Sequence, residues 1–241
     1  MGNPGLRPVV VLSRLGALAT LAMAASAAGS DAPADAAVDA LRQRILAHAA
    51  LQPGMVVAEI GVGHGWFVFR AAEAVGSKGT VYGTDIDRDA IAALQAQLPQ
   101  INPNAGHVDL RLCRDPRDTA IDDLPDGAVD VVLMVDSLCF DASEPRERNI
   151  AYLRRFLRVL RPGGRLIHHM DCLCGAMPDA VVAQFREAGF APSVESVDVG
   201  DDIASADPNW RCASAEARTR HAFVAVFRKP AASSVQGAPT P

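Results

Sequence analysis

Five cysteines in 241 residues, an odd number, make no complete disulfide framework. Cys172 and Cys174 stand one residue apart, not the two of common zinc hooks, so no metal site is expected and most of the five read as small buried residues. A bridge from this pair to Cys139 after export stays open. A basic excess is also lacking: the net charge is −5, which offers no general attraction to a polyphosphate backbone, and no nucleic-acid partner is expected. No internal repeat is visible. The longest apolar run is too short for a comfortable membrane span.

That run lies in a segment with no acidic residue before Asp31: Arg7 and Arg14 flank "LGALATLAMAA", followed by "ASA" at Ala25 to Ala27. A basic flank, a short apolar core and small residues at an A-x-A site are what an export machine and its peptidase require, so residues 1–27 read as a cleaved signal peptide. The chain is then exported or periplasmic. An uncleaved anchor, an organelle presequence and a disordered start, with a cytoplasmic chain, are the alternatives. Residues 28–229 form the expected domain, and 230–241, "GAPTP" at their end, a disordered tail.

What is present is an alternation. A helix over 39–51 stops at Pro53-Gly54; strands at 55–60, 80–84, 107–112, 129–135 and 164–170 alternate with helices at 66–75, 87–98, 145–160 and 178–188. Strands separated by helices are parallel and covered on both faces, as the apolar runs "MVVAEI" and "VDVVLMV" require. Strands 193–199 and 221–228 have no clear helix between them, which predicts an antiparallel pair at the end of an α/β, doubly wound Rossmann-like sheet.

Between the first strand and its helix runs "EIGVGHG", with Gly61, Gly63 and Gly65 where an open parallel sheet delivers its ligand. A dinucleotide fingerprint wants G-x-G-x-x-G, but Trp66 holds the place of its third glycine. Glu59, Asp85, Asp115 and Asp136 follow four strands, so carboxylates crowd one sheet edge. Such a rim disfavours phosphate and favours a cation. Asp85 suits a ribose diol, and Asp87 suits a helix cap.

These pieces resemble the class I S-adenosylmethionine-dependent methyltransferases: "EIGVGHG" at 59–65, "GTVYGTDID" at 79–87, "RD" at 114–115, "VDVVLMVDSL" at 129–138, "LRVLRPGGRLI" at 157–167 and "EAGF" at 187–190, in the family's order. The resemblance implies a seven-stranded sheet of order 3-2-1-4-5-7-6 with the last strand antiparallel, and S-adenosylmethionine as cofactor. It places the methionine part on Gly61, Gly63 and Gly65 with Glu59 behind, the ribose on Asp85, the adenine by Asp115, Ile86 and Leu112 or Cys113, and the methyl group by Asp136. It implies transfer of a methyl group to a small-molecule or protein acceptor by in-line displacement. The Asn-Pro-Pro-Tyr run of nucleobase-amine methylating members is absent after strand four.

A dedicated base is optional for such a displacement. Candidates are Asp136 and His169, with His168, Asp171 and Cys172 nearby; His168 and His169 alternate along a strand, so one of them faces the pocket. Trp66 reads as packing beneath its helix, and Trp210 as pinning the loop 200–220 or walling the acceptor. Seven arginines from Arg146 to Arg165 read as a solvated face. Two rival functions remain: an exported, non-catalytic nucleoside-binding relative, favoured because S-adenosylmethionine is made in the cytosol, and an NAD(P)-dependent oxidoreductase.

Overall fold

The computed structural model describes residues 32–138, 140, 145–170, 178–198 and 223–231. The signal segment, Asp171, Cys139, Cys172, Cys174, Cys212, the loop 200–220 with Trp210 and the tail lie outside them. Among the described residues, no helix is long and apolar enough to cross a membrane.

The sheet is built as the alternation predicts. β1 (Val56–Ile60), β2 (Thr80–Asp85), β3 (His107–Leu112), β4 (Val129–Val135), β5 (Leu160–Met170), β6 (Ala191–Asp198) and β7 (Phe223–Arg228) take the order β3-β2-β1-β4-β5-β7-β6. The first five are parallel where they pair, and β7 runs antiparallel to both β5 and β6. β1 and β4 are buried along nearly their whole length, the mark of central strands covered on both faces.

Helices α1 (Ala32–Ala49), α2 (Trp66–Val75), α3 (Arg88–Gln97), α4 (Arg146–Val159) and α5 (Pro178–Ala188) supply the cover. α1 begins seven residues before the expected 39 and places Leu41, Ile45 and Ala49 in the core with α2 and the β1–β2 side of the sheet. On the opposite face, α4 and α5 deliver Ile150, Leu153, Phe156 and Phe185. The Phe185 ring stacks on Phe227 of β7, centroids 3.7 Å apart and 5° between planes, which fixes α5 over the antiparallel end.

Two local features set the site. α2 can start at Trp66 because Gly65 adopts φ +84° and reverses the chain out of β1. α3 is capped by Asp87, whose side chain accepts from the Asp89 and Ala90 amides, as its position predicts. Two expectations need correction. The fifth strand, expected over 164–170, begins earlier: β5 starts at Leu160, paired with Val129, and the register shifts before Val131 pairs with Arg165. The arginine face of α4 is also not simply solvated. Arg155 pairs with Asp118 and Asp122, Arg158 with Asp126, and Arg146 with Glu187, so partners from neighbouring loops and α5 neutralise it.

Candidate active site at the carboxyl edge of the sheet

The carboxyl ends of β1 to β4 open into two adjoining cavities that share Gly61, Gly63 and Asp136. The first, about 280 Å³, is lined by Asp85, Ile86, Cys113, Asp115, Asp118 and Tyr152 among others. The second, about 340 Å³, lies on the α1 side against Leu41, Arg42, Ile45, Glu59, His64 and Trp66. Glu59, Asp85, Asp115 and Asp136, four residues from four strand ends, thus do meet at one cleft. No lysine or arginine lines the first cavity among the described residues. A phosphate would find no cation there; a positively charged ligand would find several carboxylates.

The three glycines do different work. A Cβ on Gly61 (φ +78°) would lie 2.4 Å from the Ser137 Cβ, and one on Gly65 (φ +84°) 2.5 Å from Leu94 Cδ2. Those two glycines make room for protein. A Cβ on Gly63 (φ +48°) would meet nothing within 4 Å, so the main chain of this residue borders open space in the cleft.

Asp85 organises the loop beside it. One carboxylate oxygen accepts from the Gly63 amide and the other from the Asp87 amide, each at 2.9 Å, while the residue still lines the first cavity. Ile86 next to it is the exposed large hydrophobic residue of the described chain, at 52%, a platform left uncovered at the cavity rim. Cys113 lies in the wall, and burial first, then nearby carboxylates, pushes its thiol above its ordinary range. Of the apolar candidates after β3, Cys113 and not Leu112 lines the cavity.

Asp115 accepts from the Arg117 amide at 2.7 Å and so closes its own loop. Asp118 and Tyr152 complete this wall, and sequence reasoning missed both. Asp118 accepts from the Arg114 side chain at 2.7 Å, which with main-chain donors holds its carboxyl well below the usual range. Tyr152 reaches the cavity from α4, and burial pushes its hydroxyl well above the ordinary tyrosine value, leaving it a donor.

At the junction of the cavities Asp136 adopts φ +48°, rare for a residue with a side chain. Its Oδ1 lies 2.7 Å from His169 Nδ1; the aspartate side chain is 45% exposed and the histidine fully buried. His168 lies on the other face of β5, between Phe140 and Phe185. Burial first, then His169, pushes it down to about 3, so it is a neutral core residue. The alternation along β5 therefore separates the two histidines, and His169 reaches the cleft only through Asp136.

Glu59 is 2% exposed, and its Oε2 has no hydrogen-bond partner among the described residues. Burial first, then Asp85, raises its carboxyl well above the ordinary range, against a hydrogen bond from the Val68 amide. Trp66 packs, partly buried, against the core under α2 and also lines the second cavity; its indole N–H donates to Asp39 of α1 at 2.9 Å, and Arg70 lies over its ring.

Over residues 57–164, which hold β1 to the start of β5, the chain matches the protein family described as a methyltransferase domain. Together with the fold, this match supports the class I S-adenosylmethionine-dependent methyltransferase family. The chain is similar to a nocamycin O-methyltransferase of Saccharothrix syringae, 36% identical over 115 residues covering 48% of this chain and 37% of that protein. It is also similar to an arsenite methyltransferase of Halobacterium salinarum, 31% identical over 183 residues covering 65% and 44%. The chain thus spans about two fifths of the length of these curated relatives. A solved geranyl diphosphate methyltransferase in complex with S-adenosylmethionine superposes with a TM-score of 0.61 at 15% identity, covering 85% and 93%, a likeness of fold.

The class I methyltransferase cofactor, S-adenosylmethionine, carries a sulfonium, an ammonium and a ribose diol. The residues present fit it: an unpartnered buried carboxyl oxygen, Glu59 Oε2, bare main chain at Gly63, and a first cavity without lysine or arginine among the described residues.

Proposed function

We propose that the chain transfers a methyl group from S-adenosylmethionine to a small-molecule or protein acceptor. The observation that carries this reading is the open main chain at Gly63, which shares the cleft with Asp85 and with the unpartnered Oε2 of Glu59. In this reading Asp85 holds the ribose hydroxyls with the lone pairs its two amide bonds leave. Ile86 and Cys113 cover the adenine, and Asp115 accepts from its amino group. Gly61 and Gly65 shape the loop, Gly63 bears the methionine part, and Glu59 accepts from the ammonium.

Held by Gly63, Asp85 and Glu59, S-adenosylmethionine would supply an electrophilic methyl group on its sulfonium. The chain's own residues position and deprotonate. The cleft walls hold the two reactants at near-attack distance. Asp136, partly exposed and polarised by the buried His169, takes the acceptor's proton where the acceptor carries one. The second cavity, walled by Leu41, Ile45, Trp66 and Phe67, is the acceptor's side of the cleft, and its aliphatic and aromatic lining suits a compact organic acceptor. The methyltransferase relatives named for nocamycin and for arsenite support a small acceptor over a polymer.

Incubation with methyl-labelled S-adenosylmethionine and panels of phenols, thiols, amines and arsenite tests this. The expected result is acceptor-dependent S-adenosylhomocysteine with label on one acceptor class. Tight binding of the cofactor with no transfer to any acceptor would instead favour the non-catalytic relative. Export remains a proposal resting on residues 1–27; an intact amino terminus in the mature chain by mass spectrometry would contradict it.

A further inference from the structure

Among the described residues, Glu59 is a buried ionisable group with little compensation. It is the last residue but one of β1, at 2% exposure, with Oε2 unpartnered among the described residues. A carboxylate taken from water without a counter-charge is costly enough that the group holds a proton instead. The groups that face it from each side do little to prevent this. From β2 comes Asp85 and from β4 Asp136, both acids; α2 offers only the Val68 amide. The glycine loop brings His64, and α1 brings Arg42, which is ion-paired with Asp39 at 3.8 Å. The unpartnered oxygen belongs to a residue that lines the second cavity, beside the bare main chain of Gly63.

We propose that Glu59 is protonated when the cleft is empty and ionised when it is filled, so that binding of the cofactor expels one proton from the protein. The inference rests on the reading above, in which the ammonium of the methionine part meets Glu59. That ammonium arrives already charged from neutral solution. The acid O–H bond breaks, its proton leaves to buffer, and the freed oxygen accepts an ammonium N–H. Nothing is oxidised or reduced. The raised proton affinity of Glu59, caused first by burial and then by Asp85, sets the direction: acid favours the empty, protonated state, so affinity falls as pH falls. Above the pH at which the empty protein loses this proton, affinity is flat.

Calorimetric titration with S-adenosylhomocysteine, in buffers of different ionisation enthalpy, counts the protons. On the acid limb the wild type is expected to release about one proton and to lose about tenfold in affinity per pH unit. Glu59→Gln keeps an acceptor oxygen without the charge and is expected to bind with no release and a flat profile. His64→Gln is expected to release as the wild type does, which separates Glu59 from the other titratable group of the loop. Binding by the wild type without proton release, or unchanged release in Glu59→Gln, would overturn the proposal while leaving the cofactor reading intact. Absence of any binding would overturn that reading and the proposal with it. Should Glu59→Gln not fold, infrared difference spectra of the wild type decide. Loss of a protonated-carboxyl stretch on adding ligand supports the proposal, and no change in that band overturns it.

Discussion

Asp136 and His169 are tied twice across neighbouring strands: Asp136 Oδ1 lies 2.7 Å from His169 Nδ1, and the Asp136 amide donates to the His169 carbonyl at 3.2 Å. The double tie holds an aspartate in a left-handed conformation, φ +48°, at the junction of the two cavities. A left-handed aspartate held in this way at the cleft motivates a test of its role in the proposed reaction.

Asp136→Asn tests that role. Asparagine tolerates the same backbone and fills the same volume, so the fold is expected to survive. Methyl transfer to an acceptor that must lose a proton is expected to fall by about 10²-fold or more, the range for loss of a general base, with S-adenosylhomocysteine affinity changed far less. Single-turnover and binding measurements on the same preparation separate the two. A loss of affinity equal to the loss of rate would make Asp136 a binding residue only.

The glycines divide by what surrounds them. Gly61→Ala and Gly65→Ala drive a Cβ to 2.4 and 2.5 Å from Ser137 and Leu94 and are expected to lower the unfolding temperature sharply. Gly63→Ala meets only open cleft; it carries backbone strain of about 1–2 kcal/mol but no clash. Its main expected effect is loss of cofactor affinity. Thermal melts and ligand titrations of the three variants check the split.

His168 predicts acid sensitivity of the empty protein. Its folded-state value of about 3 lies below the ordinary 6.5, so the unfolded chain binds its proton first. The stability His168 contributes is complete above about 6.5 and is lost progressively as pH falls towards 3. His168→Leu, which keeps an apolar side chain between Phe140 and Phe185, is expected to flatten the stability profile in that window. A profile as steep as that of the wild type would assign the acid transition to other groups.

The alternation of strands and helices and the strand-end acids were legible because both follow local rules; the sheet order came through the family resemblance. Central parallel strands read as apolar runs, and their carboxyl ends are where the chain must turn. Asp87 declared itself as a cap by preceding α3, and Asp85 by ending β2. Tyr152 and Asp118 were not legible, because each reaches the first cavity from a helix or loop whose packing against β3 and β4 no spacing encodes. Gly61 and Gly65 read like Gly63, since sequence distinguishes a need for positive φ but not whether Ser137, Leu94 or a ligand fills the space. The second side of Trp66 was not legible for a similar reason: its indole partner, Asp39, is 27 residues away on α1. The arginines of α4 looked solvated because Asp118, Asp122 and Asp126 lie in a separate loop.

The account depends most on a nucleoside held at Asp85 with its amino-acid tail on Gly63. Calorimetric titration of the purified chain with S-adenosylhomocysteine, with NAD, and again after Asp85→Ala tests this directly. One equivalent of S-adenosylhomocysteine is expected to bind, NAD is not, and the variant is expected to lose about 1–3 kcal/mol of affinity. Binding of NAD instead, or full affinity without the Asp85 carboxylate, would contradict it.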